Sequence, residues 1–382
     1  METFPGKWED LPPDLLHPIM AKLSDICDLI RLRAVCKSWR CSISISDLPP
    51  QFPLILKLGD NKGCLLEFYS MASKKVYTMR APISSQSFGI TSMLVRQFGS
   101  DEQFSLLRCK QSDQFSEGYF SFLNPVSNRE VYLPVVNDPE PLGFRFHWSV
   151  PRSFHREKCV IFGCGINQLA VCKSDGDKWN CIGGDLGYEY AYLNGFLFTI
   201  EYCKSGFTRV IDIGTRQEAY VIPPPESTMG GIQFLVESSG EILLVCYVHT
   251  HIREIDHPYI RGGYGYRMGI HNDNRSEEVH NFYIHRLEFG NGEGKPCWVK
   301  VTSIGDQLLF IDFVARQAFS LKASDFPGFN GNSLYFIHTR SKIIRHDLGC
   351  MIYRYDMENG KTISVNCPLD GWEGLMWFVP TL

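Results

Sequence analysis

The sequence predicts a mainly β protein with a small helical head, on three observations. Up to Ser46, apolar residues recur at helical spacing. From Leu54 onward, runs of about 5–8 residues are alternately or wholly apolar and end at turn residues. The composition, with 33 Gly, 21 Pro and 13% aromatic residues, suits many short strands joined by tight turns. No amphipathic helix of more than three turns breaks the strand rhythm.

The head is read first. Leu15, Leu16, Ile19, Met20 and Leu23 fall along one broad helical face. Asp10 stands before Leu11-Pro12-Pro13, a start signal in which only a first turn tolerates the prolines. A second start lies at Ser24 to Asp28. Leu29, Ile30, Leu32, Val35, Cys36 and Trp39 then carry another stripe, with Arg31, Arg33, Lys37 and Arg40 on the remaining face. These spacings place the head at residues 5–47, a proline-rich connector at 48–53 and the strand-rich body at 54–382. So small a head carries more apolar side chains than it can bury alone, so something outside it must cover them.

The body contains a degenerate repeat. A strand, a polar turn, a second strand and a proline recur as LEFYSMASKKVYTMRAP, SFLNPVSNREVYLP, RVIDIGTRQEAYVIPPP and MIYRYDMENGKTISVNCP. A second unit begins with Trp and runs through a turn into a strongly apolar strand, in WNCIGGDLGYEYAYLNGFLFTIEY and WVKVTSIGDQLLFIDF. Such repeats at blade-like intervals predict a β-propeller, with six or seven blades fitting the length; two β-sandwiches are the competing architecture. The last apolar segment, LMWFVPTL, is expected to pair with the first blade, because an open ring would expose strand edges.

Charge and chemistry narrow the function. A net charge of −4 with pI near 6.3 gives no basic field for nucleic acid. Fourteen cysteines are scattered singly and the N-terminus lacks a signal-peptide pattern. Reduced thiols and a cytoplasmic or nuclear location are therefore expected. No apolar run approaches the ~18 residues of a membrane span. There is no Gly-x-Ser-x-Gly elbow, no CxxC pair and no phosphate loop; the glycine-rich Arg261 to Gly269 lacks its Lys-Ser/Thr. His249, His251 and His257 lack completing ligands and read as surface histidines at a strand end. No catalytic residue, metal or cofactor is expected. The long polar stretch from His249 to His280 is either a solvated insertion or a partner-binding loop, with Arg261, Tyr264, Tyr266 and Arg267 as candidate substrate contacts. The aromatic run Gly143 to Val150 reads as core.

The opening stretch resembles an F-box. Leu11-Pro12, Asp14-Leu15-Leu16, Ile19, Leu23, Asp28-Leu29, Arg31, Arg33, Val35-Cys36-Lys37 and Trp39-Arg40 match that pattern in order and spacing. The His17-Pro18 pair departs from it. The remainder resembles the plant F-box proteins with a kelch-like C-terminal domain, through HRLEF, CWVKVTSIGDQLLFID, FSLKASDFPGFNGNSLYFIH and IYRYDMENGKTISV. The resemblance implies a non-catalytic substrate receptor of a Skp–cullin–F-box ubiquitin ligase. Its partners would be a Skp-type adaptor, through it a cullin, and a protein substrate bound by the propeller. It implies adaptor contact through Leu11, Pro12, Leu15, Leu16, Ile19, Leu32, Val35, Cys36 and Trp39. About half of these are expected to pack within the three-helix head, on a different face from the rest. An F-box scaffold outside a ligase, or a propeller enzyme, are the alternatives.

Overall fold

The computed structural model describes residues 8, 11–23, 26–43, 51–58, 65–80, 106–111, 117–124, 129–132, 136–137, 147–149, 159–164, 168–173, 180–183, 186–201, 206–226, 231–249, 280–289, 295–313, 317–342, 347–369 and 375–379. For 26, 58, 106–188, 249, 317 and 339–350, where described, this is the backbone alone. Three short helices precede a β-propeller: α1 (Pro13–Met20), α2 (Ile26–Ala34) and α3 (Lys37–Ser42).

Six sheets form among the described residues, each from consecutive chain except that the last strand joins the first sheet, and they are numbered as blades. Blade 1 holds β1 (Leu54–Leu58), β2 (Leu65–Ser70) and β3 (Lys75–Arg80). Blade 2 holds β4 (Leu106–Gln111), β5 (Glu117–Asn124), β6 (Arg129–Tyr132) and β7 (Val136–Asn137). Blade 3 holds β8 (His147–Ser149), β9 (Cys159–Cys164), β10 (Gln168–Lys173) and β11 (Asn180–Gly183). Blade 4 is β12 (Leu186–Leu193), β13 (Phe196–Glu201), β14 (Thr208–Asp212) and β15 (Gln217–Ile222). Blade 5 is β16 (Ile232–Ser238), β17 (Glu241–His249), β18 (His280–Glu288) and β19 (Cys297–Val301). Blade 6 is β20 (Gln307–Asp312), β21 (Gln317–Lys322), β22 (Ser333–Lys342), β23 (Asp347–Asp356) and β24 (Lys361–Val365). The last strand, β25 (Met376–Phe378), returns to blade 1.

The sequence repeats have a direct structural meaning. All four hairpin copies form the outer strand pair of a blade: β2–β3, β5–β6, β14–β15 and β23–β24. In the three with described turns the same bond closes the corner: Lys74 N–H donates to Ser70 O (2.8 Å), Arg216 to Asp212 (2.7 Å) and Gly360 to Asp356 (2.9 Å). The donor residue is left-handed each time, with φ of 58°, 60° and 66°. The residue ending the first strand caps the turn: the Ser70 hydroxyl accepts from Ser73 N–H, and the Asp212 and Asp356 carboxylates accept from Gly214 and Glu358 N–H. The Trp-led unit does the opposite job. It carries the chain from an outer strand, β11 or β19, into the next blade.

Blades pack face to face through apolar side chains. Phe234, Val245, Tyr247, Phe282 and Ile284 of blade 5 meet Leu309, Ile311, Phe313, Leu334 and Phe336 of blade 6. Val210 and Ile222 of blade 4 meet Leu244, Cys246 and Leu287 of blade 5. His285 is buried on β18, where desolvation first and the Lys300 charge second push its pKa below the ordinary value.

Blade 6 departs from a simple meander. β20 pairs in parallel with β22, and β21 occupies the edge beyond β20. A crossover with a 3-10 turn at Ala323–Asp325 makes this possible. Ile304 N–H donates to the Asn332 side-chain oxygen (2.9 Å) and Asn332 N–H to Gln307 O (2.9 Å), tying the crossover to the start of β20. Gly331 lies so close that a Cβ there would stand 2.6 Å from Gly305 O.

Ring closure is built at blade 1. β25 pairs antiparallel with β1, Trp377 opposite Ile55, as the terminal segment's apolarity predicts. The Trp377 indole, 1% exposed, donates to Ile311 O at 3.0 Å and so ties blade 1 to blade 6. Gln51, Phe52 and Pro53, the end of the expected connector, are buried. Phe52 stacks on Phe329 at 3.6 Å and meets Phe310, Phe326 and Tyr335 edge-on.

Candidate functional site: an apolar strip on the helical head

The head is a three-helix unit with a core of its own. Leu16 and Met20 of α1, Leu29 of α2, Trp39 of α3 and Ile43 are buried together, with Leu11, Leu23, Leu32 and Cys36 packed around them. Pro12 precedes α1 and Pro13 opens it, where a missing N–H costs nothing. Asp14 in the first turn favours the positive helix end. Pro18 lies inside α1, yet the helix continues to Met20. The Cys36 sulfur accepts from Trp39 N–H (3.4 Å) and caps α3. The Trp39 indole N–H donates to Trp8 O at 3.0 Å, which satisfies the one polar atom of that buried ring.

The nine residues expected to contact an adaptor fall into two groups. Leu16 and Trp39 belong to the head's core, and Leu11, Leu32 and Cys36 are half-buried against it. Pro12, Leu15, Ile19 and Val35 stay exposed, Leu15 at 52% and Val35 at 55%. Trp8 and Ile30 are also exposed; Ile30 belongs to the second apolar stripe, but neither is among the nine expected contacts. Their apolar character was the available signal; what periodicity could not supply was which side of a short helix faces its own core.

The other side of α2 rests on the propeller. Cys27 packs on the cluster of Leu54, Leu56, Leu66, Phe68, Met376 and Phe378, beside Tyr77 and Met79. The Lys75 ammonium lies 3.7 Å from the Asp28 carboxylate, which also accepts from Arg31 at 2.9 Å.

Arg261, Tyr264, Tyr266 and Arg267, with His251 and His257, lie outside the described residues. The backbone of His249 ends β17 opposite His280, whose ring accepts from or donates to the Tyr247 hydroxyl at 2.9 Å. Of the run Gly143 to Val150 only the backbone of His147–Ser149 is described, as β8. Among the described residues no group of three or more His, Cys, Asp or Glu is placed to hold a metal, and no helix is long and apolar enough to cross a membrane.

Comparison with known proteins gives this geometry a lineage. Residues 68–360, from blade 1 to the last hairpin turn, match the KIB1-4 beta-propeller family. The chain belongs to that family. Residues 8–48 match the F-box-like family, over the head just described. Relatives in Arabidopsis thaliana share this layout along nearly their whole length. F-box protein SKIP23 is 26% identical, covering 98% of this chain and 94% of that protein. F-box protein At2g17036 is 24% identical, with 98% and 94% covered, and F-box protein At2g26160 is 23% identical, with 90% and 99% covered. This KIB1-4-type chain is thus a plant-type F-box protein with a β-propeller body.

Proposed function

We propose that the chain is the substrate-receptor subunit of a Skp–cullin–F-box ubiquitin ligase. One observation carries the reading: a folded F-box leaves Pro12, Leu15, Ile19 and Val35 uncovered while its own core is complete. An exposed apolar strip on an otherwise satisfied unit marks a protein interface. The adaptor covers that strip, a cullin joins through the adaptor, and the propeller holds a protein substrate.

Burying the four side chains of the strip at about 1.5–3 kcal/mol each gives at most on the order of 10 kcal/mol gross. Association costs about 4–15 kcal/mol, so the whole strip is needed rather than one anchor. In this reading the chain positions and does not catalyse, with no metal or cofactor, and it acts in the cytoplasm or nucleus. Arg261, Tyr264, Tyr266 and Arg267, in the sequence between β17 and β18, are proposed as substrate contacts.

Reconstitution tests the reading. With the ubiquitin-loading enzymes present, the full chain, adaptor and cullin form one complex that ubiquitinates a captured partner, and Leu11→Ala with Pro12→Ala abolishes adaptor pull-down. A chain that binds the adaptor but never a cullin is a scaffold instead. Retained pull-down by the double variant contradicts the assigned surface.

A further inference from the structure

Helix α2 has two buried sides. Leu29 faces the head's core, fully buried. Cys27, two residues earlier and therefore about 200° round the helix, packs on blade 1. Asp28 adds an ion pair to Lys75 of β3. The cluster that receives Cys27 contains Met376 and Phe378 of β25, the strand that closes the ring. The chain between the two units is also short, and Phe52 fixes its propeller end among Phe310, Phe326 and Phe329.

We propose that α2 is a strut locking the F-box to the closing blade, so that head and propeller move as one body with the strip of Leu15 and Val35 turned outward. The lock is intramolecular and independent of ligase function. It sets the direction in which the propeller is held relative to whatever covers the strip, and it couples that direction to ring closure. The apolar contact of Cys27 does most of the holding, since an exposed Asp–Lys pair contributes little by itself.

Zero-length carbodiimide coupling of the isolated full chain tests this directly, because it joins only a carboxylate and an amine already in contact. The expected result is an Asp28–Lys75 amide link within one chain, its yield independent of protein concentration. Lys75→Arg removes the link while keeping the charge. Cys27→Asp, which puts a carboxylate into the apolar contact, lowers the yield by about fivefold or more and speeds amide exchange in 65–80 by a similar factor. Leu15→Asp changes neither. Absence of the link in the wild-type chain overturns the proposal, as does a link formed only between isotopically distinct chains, or unchanged yield and exchange in Cys27→Asp. Because no adaptor is present, these outcomes are separate from success or failure of the ligase reading.

Discussion

The closing seam and the F-box head are made of the same kinds of side chain, yet only one is sealed. At the seam, Trp377 and Phe378 are each 1% exposed, and Phe52 is enclosed by four aromatic rings. In the head, five residues reach burial while Leu15 and Val35 remain over half exposed. The seam joins two ends of one chain and finds its cover within the molecule. Among the described residues the head meets the propeller on one side of α2, and Leu15 and Val35 are left uncovered. The difference separates residues that hold the fold from residues the fold leaves exposed.

Substitutions can break that comparison or sharpen it, beginning where the loss is greatest. Trp377→Ala is expected to cost about 3–5 kcal/mol in denaturant unfolding, through the cavity and the lost bond to Ile311 O. Gly331→Ala should cost about 1–3 kcal/mol, since the crossover backbone must shift away from Gly305 O. A smaller, pH-dependent effect belongs to His285. Its folded pKa lies below the unfolded value of about 6.5, so the unfolded chain takes up the proton first. Its contribution is constant above about pH 6.5 and is lost as pH falls below that; His285→Gln should flatten the stability profile on the acid side of about pH 6.5. Leu15→Asp should change stability least, within about 0.5 kcal/mol, because the side chain is already in water. A Leu15→Asp penalty comparable with that of Trp377→Ala would place Leu15 in the fold and erase the contrast.

Much of this organisation is legible in the sequence, and for physical reasons. In the three hairpin copies whose turns are described, a strand-end Ser or Asp, a left-handed fourth turn residue and a following strand recur because they are local requirements. The return of LMWFVPTL to β1 follows from the need to close a ring. The parallel pairing of β20 with β22 was not readable, since alternation identifies strands and not their neighbours. Nor was the burial of Gln51 to Pro53, because a proline-rich connector looks the same whether it hangs free or lies in an aromatic cage. In the head the motif picks out nine residues as a set, but Leu16 and Leu15 are adjacent and both apolar. Only the packing shows that one faces in and the other out.

The central claim is that the strip on the head is covered by an adaptor. Calorimetric titration of the full chain with a purified Skp-type adaptor tests it most directly. The account predicts a one-to-one complex with a negative heat-capacity change, the mark of apolar burial, and loss of that complex when Leu15→Asp and Val35→Asp are combined in a chain that unfolds like wild type. A wild-type chain that gives no binding, or a double variant that binds as tightly as wild type, would contradict it.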